Sequence, residues 1–158
     1  MNHAIAKALL FLYAGILIHH LGTRSLEKLT GAARGKPFLA VPLFIGALSL
    51  AGVPPLNGFW SELLLVLSGF NAAGTMGIAA PLGAVLLLIN VAIAFAYYLR
   101  LLLILVFREG ERTLEKPSRL LVLCTWILAA MCVVIGLYPW SFVQAAEMAG
   151  KALLVTAP

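Results

Sequence analysis

Four long apolar stretches separated by short polar ones make up this chain of 158 residues. The first runs from about Asn2 to Gly22 and yields to a polar segment, Thr23 to Lys36, holding Arg24, Lys28, Arg34 and Lys36 against Glu27. Pro37 opens the next stretch at a first-turn position, where a missing N–H is no loss. That stretch, 38 to about 70, is interrupted at Pro54-Pro55, which remove two backbone donors and forbid a straight helix. Two halves are expected, 38–53 and 57–70. After a neutral turn, a long helix is expected over 78–107, with Pro81 in its first turns. A charged loop from Arg108 to Arg119 follows, and then a helix over 120–137. Tyr138-Pro139-Trp140 mark an interface before a mildly amphipathic tail over 140–154. A bilayer core takes about 20 apolar residues per helical crossing. The expected fold is therefore all-α: a polytopic transmembrane helix bundle of about four crossings, one of them broken, in a single membrane domain.

Composition narrows the class further. With 63% hydrophobic and 11% charged residues and a mean hydropathy of +1.04, the chain lies far outside the range of soluble domains. The net charge of +5 does not point to nucleic acid, because the cations sit in two short loops with no interleaved aromatics. Cys124 and Cys132 lie eight positions apart on an apolar helix, a spacing that suits neither a disulfide nor a metal site. Paired CxxC motifs, a haem-attachment sequence and a phosphate loop are absent from the sequence, so no cofactor is expected and no catalysis by this chain alone. No cleavable signal is visible either, since His3 and Lys7 interrupt the apolar start; the first stretch is expected to be retained. A bundle this small leaves much surface for lipid and for other membrane subunits.

The loop charges decide how the broken stretch crosses. If it crosses once, both basic loops fall on one side, and the neutral turn and tail share the other. If it crosses twice, the basic loops face opposite sides and the positive-inside bias vanishes. A single crossing is favoured, although some 33 residues at about 1.5 Å each exceed the bilayer and require tilt or overlap. The basic loops are then cytoplasmic, and both termini lie outside a prokaryotic inner membrane.

Between Lys36 and Arg100 the chain carries one charged residue, Glu62, just after the break formed by Pro54, Pro55 and Gly58. A carboxylate in hydrocarbon costs at least ~2.5–3.5 kcal/mol and is read as functional by default. Two forces compete over its proton. The amino end of the second half-helix, with Asn57 as candidate cap, favours the anion by roughly 0.3–1 kcal/mol, while desolvation opposes it more strongly unless a cation is near. Such a poised carboxyl suits a proton relay; the plain alternative is a structural glutamate bonded to the broken backbone. His3 and Lys7, spaced i, i+4, share a helix face, and Lys7 can serve as that cation or snorkel to the headgroups. His19 and His20 are accessory candidates near the cytoplasmic end, with simple interfacial placement as the alternative. Tyr97 and Arg100 are further accessory candidates, Arg100 either pairing with a carboxylate or reaching toward the cytoplasm.

These residues carry a resemblance. The run His3-Ala4-Ile5-Ala6-Lys7-Ala8-Leu9-Leu10-Phe11-Leu12 with Gly15 resembles the HxxxKALLFLxxG segment of the antiporter-like subunits of respiratory complex I, Mrp-type antiporters and membrane-bound hydrogenases. Ser49 to Glu62 is similar to that family's SLAGxPPxxGFxxK/E segment, and Tyr97-Tyr98-Leu99-Arg100 and Gly136-Leu137-Tyr138-Pro139-Trp140 fit the same pattern. The resemblance implies the last four helices of a roughly fourteen-helix subunit. It makes Lys7 the central-axis lysine, His3 a neighbouring relay residue and Glu62 the ionisable residue of the broken helix, where lysine is commoner. The helices that would precede these are then supplied by another membrane subunit.

Three functions follow as expectations. The first is a proton- or sodium-translocating, non-redox part of a redox-driven oxidoreductase complex, complex I-like or hydrogenase-like, with peripheral redox subunits as partners. The second is part of a stand-alone Mrp-type antiporter, and the third a non-conducting structural subunit.

Overall fold

The structure, a computed structural model, describes residues 2–110, 117–141, 143, 144 and 148. The expected tail over 140–154 and the middle of the second charged loop lie largely outside the described residues. The elements are α1 (Asn2–Leu21), α2 (Pro37–Leu50), α3 (Asn57–Asn71), a single turn α4 (Ala73–Met76), α5 (Ala79–Leu102) running into a π-helical turn (Leu103–Phe107), and α6 (Arg119–Leu137). Among the described residues all regular structure is helical. Three helices are long and apolar enough to cross a membrane, and α2 is a shorter apolar helix. The fold is an all-α bundle of the polytopic membrane class with its second crossing broken.

Helices in hydrocarbon form because every backbone N–H and C=O must find an internal partner. Where the sequence denies one, another element supplies it. Pro42 lies inside α2 and cannot donate to the Phe38 carbonyl one turn back. The Trp126 indole of α6 donates to that carbonyl instead, at 3.0 Å. The π-helical turn ends with free carbonyls at Ile104 and Leu105, which accept the Gly31 N–H at 2.9 Å and the Ala33 N–H at 3.0 Å. The segment after α1 is therefore docked onto the end of α5. Gly31 is needed there: its φ is +70°, and a Cβ would lie 2.8 Å from the Arg108 carbonyl oxygen and from the Gly110 nitrogen. Arg34 and Glu109 add an ion pair at 2.8 Å across the same junction; both are well exposed, so it contributes little. Both basic loops thus meet at one end of the bundle.

The core divides along the bundle. Toward the basic end, Tyr13, Ile16 and Leu17 of α1 pack with Leu39 and Leu43 of α2 and with Leu102. Toward the other end, Ala6 and Leu9 pack with Leu50, Ala129 and Cys132. Gly46 lets α1 and α2 approach closely, since a Cβ there would lie 2.9 Å from the Leu9 and Leu10 side chains. By contrast α5 covers little of itself: almost none of its apolar stretch is buried by this chain.

Two substitutions separate these contributions. Trp126→Phe removes one interhelical hydrogen bond, expected to cost about 0.6 kcal/mol in a membrane protein. Gly31→Ala forces a side chain into a left-handed, backbone-lined position and is expected to cost about 2 kcal/mol, combining strain with overpacking. Thermal unfolding of the purified, detergent-solubilised assembly should rank Gly31→Ala clearly below Trp126→Phe; equal melting temperatures would contradict the docking described.

Candidate functional site at the helix break

α2 ends in a glycine-capped turn. Gly52 takes φ +67°, its N–H donates to the Ser49 carbonyl at 3.3 Å, and the Val53 N–H donates to the Leu48 carbonyl at 3.0 Å. This pair of bonds around a left-handed glycine satisfies carbonyls that a continuing helix would have used. Pro54 and Pro55 follow with no N–H to place, and α3 begins at Asn57. The half-helices are held very close. A Cβ on Gly58 would overlap the Ser49 carbonyl, and a Cβ on Gly136 would overlap the Pro55 carbonyl. Gly136 therefore lets α6 lie directly on the break, and the Trp60 indole fixes it by donating to the Gly136 carbonyl at 2.7 Å.

Glu62 lies in the second turn of α3, half-buried, with its carboxylate folded back against Gly52; a Cβ on Gly52 would overlap that carboxylate and touch Val91 of α5. Glycine at 52 thus serves both the cap and the seat of the acid. Among the described residues Glu62 has no ion-pair partner. The helix start also departs from the sequence expectation. Asn57 does not cap α3, no carboxylate stands in its first turn, and the helix end therefore acts on Glu62 weakly.

Asn57 has a different task. Its side chain is fully buried: its Nδ2 donates to the Asn2 carbonyl at 3.2 Å, and its Oδ1 accepts the Ser49 hydroxyl. Asn2 reciprocates, its Nδ2 donating to the Asn57 carbonyl at 3.0 Å and to Ser61 Oγ at 2.8 Å. The Cys132 thiol of α6 is also within hydrogen-bonding reach of Ser49. Four helices meet at this polar node. Sequence reasoning passed over Asn2, Ser49 and Ser61; the signal available was that Ser49 and Asn57 are polar residues flanking the break in otherwise apolar sequence.

Among the described residues none of the other sequence candidates forms an ion pair with Glu62. His3 and Lys7 share the exposed face of α1 and lie within electrostatic reach of each other. The His20 Nδ1–H donates to the Ile16 carbonyl at 2.9 Å, and its ring meets His19 edge-on at a centroid distance of 5.2 Å. Tyr97 stacks edge-on with Tyr98 at 5.3 Å; Tyr97 and Arg100 both face outward. Pro54 and Pro55 are exposed at the break.

Comparison with known proteins gives one consistent result. A family model described as NADH:quinone oxidoreductase/Mrp antiporter, TM, matches residues 1–90. Hydrogenase-4 component B of Escherichia coli is 34% identical over 146 residues, covering 87% of this chain and 22% of the relative. The Na(+)/H(+) antiporter subunit A1 of Staphylococcus haemolyticus is 32% identical, covering 91% of the chain and 19% of the relative. Formate hydrogenlyase subunit 3 of Escherichia coli is 31% identical, covering 89% and 24%. The chain spans about a fifth of the length of these relatives.

The glycines at the break should differ in their tolerance. Gly58→Ala and Gly136→Ala meet rigid backbone and are each expected to cost about 1–3 kcal/mol. Gly52→Ala meets the mobile end of Glu62, leaving mainly the backbone strain of about 1 kcal/mol. Melting temperatures of the three variants in the intact assembly test this order; a Gly136→Ala protein as stable as the unsubstituted one would contradict the close seat of α6.

Proposed function

The chain belongs to the NADH:quinone oxidoreductase/Mrp antiporter transmembrane family, and on that footing we propose that its helices form part of an ion-translocating membrane subunit in which Lys7, His3 and Glu62 are relay groups. One observation carries the reading: Asn2 of α1 is bonded to Asn57 and Ser61 at the break. α2 has 14 residues and α3 has 15, about 21 and 22 Å of helix, so the break falls near the middle of the crossing. The node brings the start of α1 to that depth. Lys7 lies only about 7.5 Å farther along the helix, well inside the membrane, where an ammonium cannot readily reach the headgroups and is retained for use.

Glu62 supplies the second group. It sits at broken backbone packed against a glycine, the kind of position at which membrane helices open toward water or ions. With an effective dielectric of about 20, two unit charges interact by roughly 4 kcal/mol at ~4 Å and by under 2 kcal/mol at ~10 Å. Lys7 and Glu62 form no ion pair in this chain, so a proton or sodium ion passing between them requires water or groups from the rest of the subunit. The change of charge at one site then alters the affinity of the next. His3, four residues before Lys7 and within its electrostatic reach, is a group able to exchange a proton with it. His19, His20, Tyr97 and Arg100 are accessory at most.

The complex we propose is redox-driven, with the electron chemistry in peripheral partner subunits and the remaining helices in membrane partners. The relatives named for hydrogenase-4 and formate hydrogenlyase support this placement. The relative named for a sodium/proton antiporter supports the second reading, a stand-alone antiporter. Co-purification of electron-carrying chains distinguishes the two. The junction of both basic loops at one end of the bundle supports a single broken crossing with those loops in the cytoplasm of a prokaryotic cell and the turn between α3 and α5 on the other side.

In the reconstituted assembly, Glu62→Gln and Lys7→Ala should each reduce ion flux at least tenfold while leaving the amount of assembled complex unchanged; normal flux in both variants would remove the translocation reading and leave a structural subunit. Orientation has its own test. A membrane-impermeant thiol reagent applied to intact cells should label Thr75→Cys and spare Ser25→Cys, and the opposite pattern would invert the topology.

A further inference from the structure

We propose that Asn2 and Asn57 are positioning residues, a clasp that sets the place of the Glu62 carboxyl relative to the relay face of α1; the inference rests on the proposed roles of Lys7 and Glu62. A continuous helix fixes the direction of its second half through its own backbone. Here Pro54 and Pro55 interrupt that ladder, so the direction of α3 must be set by other contacts. The reciprocal exchange between Asn2 and Asn57 does this at one point. Each side-chain amide donates to the other's backbone carbonyl, at 3.0 and 3.2 Å, so rotation of either helix breaks both bonds together.

The clasp also reaches both relay elements. The second Asn2 hydrogen bond, at 2.8 Å, ends on Ser61, the residue before Glu62, while Asn2 itself precedes His3 on α1. Ser49 joins the end of α2 to Asn57 Oδ1, so three helices are referenced to one buried amide. Every bonding group in the clasp, whether amide, hydroxyl or backbone carbonyl, is neutral and does not titrate in the physiological range. It therefore holds its geometry while the groups it positions change charge. A hydrophobic interlock at this place would resist separation but would not fix rotation, because apolar contacts are non-directional.

The test uses the complete assembly and Asn2→Leu, which removes both donations from α1 yet leaves the buried Ser49–Asn57 bond in place. The direct readout is the rate at which a membrane-permeant carbodiimide modifies Glu62, followed by peptide mass spectrometry. A clasp predicts a change of at least threefold in that rate, in either direction, with assembled complex at its normal level. Asn57→Leu should give a similar change, and the double variant no more than the larger single one, because both belong to one device. An unchanged rate in Asn2→Leu overturns the proposal. So does a double variant whose effect is the product of the singles. Should Asn57→Leu not assemble, Asn2→Leu and Asn2→Ala decide alone. Ion flux separates the two levels: normal flux in Glu62→Gln removes the relay reading, whereas the carbodiimide rate judges the clasp whether or not Glu62 conducts.

Discussion

A backbone polar group left bare in hydrocarbon costs several kcal/mol, and each irregularity of this chain is arranged around that constraint. Pro42 frees the Phe38 carbonyl and the Trp126 indole occupies it. The widened end of α5 frees the Ile104 and Leu105 carbonyls, and the segment after α1 brings two N–H groups to them. The capped end of α2 turns the Gly52 and Val53 N–H groups back on its own last turn. Repairs of this kind join elements distant in sequence, so satisfying the backbone and packing the bundle are one process.

The break is where the repairs are densest, and that has a chemical consequence. Glycines at 52, 58 and 136 bring backbone against backbone, while the polar side chains of Asn2, Ser49, Asn57 and Ser61 are engaged with one another. Glu62 is left beside this network with its carboxylate against Gly52. Among the described residues that acid has no ion-pair partner, so a charge brought close by another chain would act on it unopposed by a neighbouring ion. Lys7 and most of α5 are exposed in this chain, which spans about a fifth of the length of the matched relatives.

Much of the fold could be read from the chain. Two adjacent prolines in an apolar run are hard to place in anything but a broken helix, and the hydropathy left no alternative to a helical membrane bundle. Glu62 was visible for the same reason, as the one charge in a long neutral stretch. The π-helical end of α5 was not visible, because its cause is the docking of residues some seventy positions earlier. The role of Asn57 was misread as a cap, since local sequence favours asparagine there, whereas its partner, Asn2, comes from another helix. Gly136 gave no local signal; its need is set by the Pro55 carbonyl that lies where a side chain would be.

The central claim is that Glu62 gains and loses a proton as ions move. Infrared difference spectroscopy on the reconstituted complex, switched between resting and driven states, observes this directly. A carboxyl band that appears or vanishes with driving and is absent in Glu62→Gln is the predicted result. A difference spectrum unchanged by that substitution would contradict the account.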